Sequence, residues 1–391
     1  MHSIVLCEPQ CISFEHVSFN AALLVTVRLA YPEAALTFMG EADHVSRVQS
    51  EMYAYLPANQ HLPVEFVPIP LPAHGIPQWR RLFGESSWCK RLFKLANERG
   101  AKLVVLCSIA PTGLIALKLS MKRPTGFRVL AVPHATLNSL LERCRLLVNR
   151  PLTLASAFAL PHHGRVRYVA LGPSIAAKLH QYKPELASRF YTLDHPCLWS
   201  DAKSEQVEGR ISFGYLGSPR KGLERYVEMV STIVDPGRRG RFVQIGYVED
   251  KELIAKYSGI VEGLSTTPIP KDEYFKQLRA LSYVVGTATP SQFQLRASGT
   301  FFDALAFTKP AIYLRNPYVE AYFEQMGDVG YLCDSMTEMA ELIGTIIARF
   351  PRERYEAQCA NILRTRTRFS PEYLADRFRI IAHDLCAEQP A

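Results

Sequence analysis

No stretch of this chain approaches the ~20 uninterrupted apolar residues that cross a bilayer. Met1-His2-Ser3 ahead of Ile4-Val5-Leu6-Cys7 offers neither the basic flank nor the long apolar core of a secretion signal. A cytoplasmic protein is the expectation. There is no C-x-x-C, and the nine cysteines are odd in number and scattered from Cys7 to Cys386. That pattern indicates neither a disulfide framework nor a zinc site and fits reduced thiols. His162 and His163 stand side by side in a Pro-His-His-Gly turn with no acid nearby; adjacent imidazoles there cannot both reach one ion, so no metal is expected. Acidic residues are missing between Glu98 and Glu142, a stretch that holds Lys102, Lys118, Lys122, Arg123 and Arg128. The imbalance belongs to the first half. Residues 1–200 carry 21 Lys and Arg against 12 Asp and Glu, residues 201–391 carry 24 against 25, and the net charge is +8. Such a first half attracts anions. Internal repeats are absent, as are RNA-recognition and helix-turn-helix patterns, and no nucleic-acid partner is expected.

What is present is a globular composition, 48% hydrophobic and 21% charged over 391 residues, enough for two cores rather than one. Short apolar runs without polar alternation recur between helical stretches: 4–6, 35–39, 64–68, 103–106, 127–132 and 166–171. Unalternated strands separated by helices predict a parallel sheet covered on both faces. A polar linker at 199–209 follows, and the rhythm restarts with strands at 211–216, 241–247, 260–264, 283–286 and 311–314. The expectation is an α/β protein of two Rossmann-like, doubly wound domains, 1–198 and 209–370, facing across a cleft. The final segment, 371–391, forms a helix capped at Ser370-Pro371 and able to cross back to the first domain.

Two motifs carry chemistry. Residues 298–310, SGTFFDALAFTKP, read as a capped helix: Ser298 caps, Gly299 lets a ligand approach the backbone, and the free N–H groups around Thr300 suit a diphosphate. Asp303, one turn on, can meet a sugar hydroxyl, and Lys309-Pro310 end the helix. Residues 214–222, GYLGSPRKG, follow a strand and open a helix. Gly217 allows the tight turn, while Arg220 and Lys221 place two cations at a helix N-terminus, where the dipole disfavours them unless an anion lies between.

In this order the motifs resemble the GT-B glycosyltransferases, two-domain enzymes that move a sugar from a nucleotide donor. The resemblance implies that Lys221 contacts the donor diphosphate and that Asp303 binds its ribose. The second acid common in retaining members is replaced by Leu295, and the arginine often found near Tyr215 is absent. Residues 264–270, LSTTPIP, sit where such enzymes hold the base, which makes Thr267 and Ile269 candidates. His134, after the 127–132 strand, corresponds to a histidine beside the transferred sugar. His16, and after it Glu15, correspond to the general base of inverting members; either could instead cap the helix starting near Ser18. Asp194-His195-Pro196 reads as a hinge.

The implied substrates are a UDP- or GDP-type nucleotide-sugar and a saccharide or lipid-linked saccharide of cell-surface polysaccharide synthesis, with no cofactor. Stretches that mix cations with large apolar residues, at 79–83, 88–94 and 140–148, suggest attachment to an anionic membrane surface. A non-hydrolysing sugar-nucleotide 2-epimerase would share the architecture but needs an acid pair that the first half does not show, and a non-enzymatic basic binder is the third possibility.

Overall fold

The computed structural model describes the chain except residues 57–62, 74, 122–124, 135, 143–146, 162–164, 200–208, 218–221, 236, 238 and 388–391, and the side chains of 147–148. Arg220, Lys221, His162, His163, Lys122 and Arg123 therefore lie outside the described residues. The chain divides into two compact units: Met1–Leu198 with Leu295–Ala297 and Arg368–Ala391, and Trp199–Gln294 with Ser298–Thr367.

In the first unit seven strands form one parallel sheet: β1 (Ser3–Cys7), β2 (Ala35–Gly40), β3 (Val64–Pro68), β4 (Leu103–Leu106), β5 (Arg128–Ala131), β6 (Val166–Leu171) and β7 (Phe190–Leu193). Their order is β3-β2-β1-β4-β5-β6-β7, so the winding reverses between β1 and β4. β1 and β4 are buried at every position, as expected of strands covered on both faces. Helix α1 (Val17–Ala30) is also buried almost all round, Asn20, Thr26 and Arg28 included. The C-terminal helix, Pro371–Ala387, lies against it: the Tyr31 and Phe378 rings meet edge to face at 6.5 Å, and Arg379 Nε donates to Ala30 O at 3.0 Å. A helix covered on two sides needs the apolar circumference that α1 has. Ser370 Oγ accepts from Tyr373 N, the expected cap. Leu374, Phe378, Ile381 and Leu385 are buried, but Tyr373 and Ile380 fall on the exposed side of this helix.

The second unit carries five parallel strands: β8 (Ile211–Leu216), β9 (Gly240–Ile245), β10 (Tyr283–Gly286), β11 (Ala311–Leu314) and β12 (Gly330–Cys333). Their order is β12-β11-β10-β8-β9, reversing between β8 and β10. The expected strand at 260–264 does not form; that run contributes one isolated parallel bridge, Val243 to Glu262. Conversely β7 and β12, FYTL and GYLC, escape a search for apolar runs because as edge strands they are only half-buried at three of four and two of four positions. The eight described cysteines are all free thiols. Among the described residues no helix is long and apolar enough to cross a membrane.

Of the stretches that mix cations with large apolar residues, 88–94 is largely structural: Trp88, Cys89 and Leu92 are fully buried, and Trp88 donates to the buried Glu85. Leu140 is also buried, while 143–146 and the side chains of 147–148 lie outside the described residues; 79–83 carries an exposed aromatic face. Trp79 is 54% and Phe83 75% exposed, one turn apart on the helix Gln78–Glu98.

Candidate functional site

Doubly wound sheets bind ligands beyond the carboxyl ends of strands where the winding reverses. In the first unit that point lies beyond β1 and β4, and the residues there are Glu8 and Ser108. Glu8 is fully buried. Its carboxylate accepts from Ser108 Oγ, from the backbone N–H of Gln10 (2.9 Å) and Cys11 (3.0 Å), and from Asn20 Nδ2 (3.0 Å). Hydrogen bonds to the charged form are what allow a carboxylate to remain inside a protein. Sequence reading missed Glu8; its signal was an acid directly after a wholly apolar strand.

The loop that Glu8 holds carries His16 and Glu15. Ser13 and His16 both adopt the left-handed conformation, with φ of 49° and 52°, which non-glycine residues rarely take. His16 occupies the N-cap position of α1, yet its side chain makes no capping bond. It is exposed, and its ring centroid lies 4.4 Å from that of His134. Glu15 turns back on its own loop, Oε2 accepting from Ile12 N at 3.2 Å. His134, just past β5, is 9% exposed and packs on the Phe19 ring at 4.7 Å.

His195, read from the sequence as a hinge residue, completes the cluster. Its ring is 5.5 Å from His134 and 4.8 Å from Phe19. Burial drives its pKa down to about 3, with Nδ1 3.0 Å from Pro196 O. A neutral ring beside a carbonyl donates from Nδ1 and keeps Nε2 as an acceptor. Three imidazoles, contributed by the β1–α1 loop and by the segments after β5 and β7, thus gather, His134 and His195 on Phe19 and His16 on His134. The His16 and His134 rings meet tilted at 51°, and the His134 and His195 rings meet edge to face. Among the described residues no group of three His, Cys, Asp or Glu is placed to hold a metal ion.

In the second unit the β8 loop reaches Gly217, whose φ of 87° favours glycine. Its N–H donates to Ile245 O at 2.9 Å and its carbonyl accepts from Gln244 Nε2 at 3.1 Å. A Cβ at Gly217 would stand 3.5 Å from Thr300, so the loop and the start of the helix Gly299–Ala306 are neighbours. Ser298 is the N-cap, its Oγ accepting from Phe301 N at 3.4 Å. Among the described residues nothing accepts from the N–H of Gly299 or Thr300, and a Cβ at Gly299 would meet no atom within 4 Å. Open space at a helix start with two uncommitted N–H groups suits an anion.

Asp303 accepts at Oδ2 from Tyr274 Oη at 3.0 Å. Burial, together with the adjacent Asp303 carboxylate, pushes the Tyr274 phenol well above its usual range, so it remains a donor. Lys309, 1% exposed, donates from Nζ to Arg279 O at 2.6 Å, tying the end of this segment to the helix Lys271–Arg279 that carries Tyr274. Tyr274 was not foreseen, since nothing in the sequence links it to Asp303. Thr267 is exposed and bonded to Ser265, and Ile269 is half-buried. They precede the Tyr274 helix, which is their connection to the site. Leu295 is fully buried in the first unit, its N–H donating to Asn138 Oδ1 at 3.2 Å. Two surface cavities of about 500 and 480 Å³ include none of the candidate residues in their walls.

No protein-family model matches the sequence, and no curated protein does. Solved structures do match, over nearly the whole chain. The glycosyltransferase WaaG, involved in lipopolysaccharide biosynthesis, superposes with a TM-score of 0.64 at 14% identity, covering 97% of this chain and 99% of that one. Anabaena HepE in complex with UDP-glucose gives 0.65 at 12% identity, with 98% and 100% covered. The catalytic domain of Arabidopsis thaliana starch synthase IV, bound to ADP and acarbose, gives 0.68 at 10%, with 99% and 100% covered. At these identities the likeness is one of fold, and the fold is GT-B.

Proposed function

We propose that this chain is a glycosyltransferase that moves a sugar from a nucleotide-sugar to a saccharide or lipid-linked saccharide without a metal cofactor. The observation that carries the reading is the second unit's helix start, where Gly299 and Thr300 offer N–H groups that no described residue accepts, beside Gly217 at the reversal point of the sheet. Fixed donors aimed at a departing diphosphate stabilise the charge that builds on it in the transition state. Lys221 and Arg220 add cations to the same loop, and Asp303, steered by Tyr274, takes a ribose hydroxyl of a UDP- or GDP-type donor.

In the first unit His16 accepts the proton of the acceptor hydroxyl as that oxygen bonds to the anomeric carbon and the nucleoside diphosphate leaves with the C–O bonding pair. Its exposed ring and strained backbone support this role. His134 supplies a hydrogen bond to the sugar or the departing phosphate, and Glu15 braces the loop. Structural likeness to the lipopolysaccharide enzyme WaaG supports an acceptor in cell-surface polysaccharide synthesis.

Thermal unfolding with UDP, GDP, CMP and dTDP tests the donor site, because a ligand that binds only the folded chain must raise its melting temperature. Stabilisation by one diphosphate, reduced in Lys221→Ala and Asp303→Ala, is expected. A shift that both variants leave intact overturns the assignment.

Exposed Trp79 and Phe83, with Arg80 stacked 5.0 Å over Trp79, support attachment to an anionic membrane surface, which would bring a lipid-linked acceptor to the enzyme. Sedimentation with phosphatidylglycerol vesicles should pull the protein down at low salt and less so at high salt. Equal binding by the double variant Trp79→Ala, Phe83→Ala would count against this face.

A further inference from the structure

Beneath His16 lies a buried polar chain that the proposed chemistry does not use. Asn20 Nδ2 stands 3.0 Å from Glu8 Oε2 and 2.8 Å from His44 Nε2, and all three side chains are fully buried. The carboxylate fixes the amide, because a flipped Asn20 would set its oxygen against Glu8. Asn20 therefore spends both N–H groups, one on Glu8 and one on His44. His44 Nε2 must then be an acceptor, so the proton of a neutral ring sits on Nδ1, which donates to Ser13 O at 3.0 Å. Ser13 is the left-handed residue three before His16. Its N–H and Oγ are taken as well, by Glu41 Oε2 (3.2 Å) and Asp43 Oδ2 (2.7 Å) at the start of the helix Ala42–Tyr55. At the other end of the loop Glu8 accepts from Cys11 N at 3.0 Å.

We propose that Glu8, Asn20 and His44 form a positioning relay that holds the loop from Cys11 to His16, and with it the strained backbone that presents His16 to the acceptor. Every donor in the relay faces an acceptor in one direction only, from Asn20 to Glu8 and from Asn20 through the His44 ring to Ser13. The network thereby specifies one loop conformation. A left-handed backbone at two non-glycine residues persists only where its surroundings over-determine it, and the relay together with the Glu41 and Asp43 contacts is that surrounding structure. The role of the relay in turnover rests on the assignment of His16 as base; its grip on the loop does not.

Two measurements separate these parts. Amide hydrogen exchange on the full chain reads the loop directly. His44→Leu, which removes both bonds of the ring, should speed exchange of the loop amides on the order of tenfold or more, and His44→Gln, which keeps one donor and one acceptor, should restore most of the protection. Glu8→Gln is isosteric and sets an amide against the Asn20 amide, so it serves if His44→Leu does not fold, with the same loosening expected. Loop exchange unchanged in Glu8→Gln and His44→Leu overturns the relay.

Turnover reads what the relay serves. With the nucleotide-sugar identified by thermal shift, Glu8→Gln should lower kcat about tenfold while the donor KM stays within about twofold, since the donor contacts lie in the other unit. If His16→Ala keeps full turnover while Glu8→Gln still loosens the loop, the base assignment fails and the structural relay stands. Full kcat in a Glu8→Gln enzyme whose loop has loosened overturns the positioning role.

Discussion

Gly299→Ala separates a ligand site from a merely well-capped helix. The added methyl would meet no atom of the described residues within 4 Å, and the φ of Gly299 lies outside the left-handed region, so the described structure accommodates alanine. Replacing glycine by alanine where the backbone allows it stabilises by up to about 1 kcal/mol, through the smaller entropy of the unfolded chain. For units of this size that raises the melting temperature by up to about 2–4 °C. Without nucleotide the variant should therefore melt no lower than the wild type.

With nucleotide the sign reverses. The methyl projects into the space that a diphosphate would use to reach the N–H groups of Gly299 and Thr300. Losing two charge-assisted hydrogen bonds at about 1.5 kcal/mol each weakens binding by about 3 kcal/mol, on the order of a hundredfold in Kd. A ligand at a hundred times the wild-type Kd stabilises the wild type by about 2.7 kcal/mol; for the variant the same concentration equals Kd and contributes only about 0.4 kcal/mol. Differential scanning fluorimetry with and without the best nucleotide, followed by calorimetric titration, reads both numbers. A variant that melts several degrees lower without ligand would show that glycine is there for packing. One that keeps the full ligand-induced shift would show that no diphosphate approaches this helix.

Tyr274→Phe removes the hydrogen bond to Asp303 while keeping the ring, and should weaken nucleotide binding by about 1 kcal/mol, roughly fivefold, with little change in kcat; isothermal titration with the product nucleotide checks it. His195 makes stability acid-sensitive. Burial lowers its folded pKa from 6.5 to about 3, so between those values the unfolded chain binds a proton that the folded chain refuses. Its contribution is whole above pH 6.5 and is lost as the pH falls, about 2 kcal/mol by pH 5 at 1.36 kcal/mol per pH unit. Urea titrations at pH 7 and pH 5 should show that loss in the wild type and a smaller one in His195→Phe; equal losses would mean that the ring is protonated in the folded state.

Much of the architecture was legible in the order of residues. Apolar runs without alternation, such as Leu103–Leu106, suit strands covered on both faces, and their regular separation by helices pointed to parallel sheets. Ser298 followed by Gly299 marked a helix start because capping is local chemistry, settled within four residues. Edge strands were harder. β7 and β12 gain their identity from a neighbour's backbone rather than from burial on both faces, and the apolar run at 260–264 fails as a strand because only Glu262 bridges to β9.

The chemistry of the sites depended on distance along the chain. Sequence marked His16 and His134 singly, but the sheet order places the segments after β1, β5 and β7 at one end of the strands, and only that gathers them with Phe19 and His195. Asp303 was readable as an acid on a helix; that Tyr274 holds it follows from two helices packing side by side. Glu8 was not singled out in the sequence, because its partners Ser108 and Asn20 reach it only through the order of the strands and the packing of α1. Secondary structure is written in periods of two to four residues, which a sequence displays directly. A site is written in contacts between residues as far as 176 positions apart, as Phe19 and His195 are, which exist only once parallel strands have aligned their carboxyl ends.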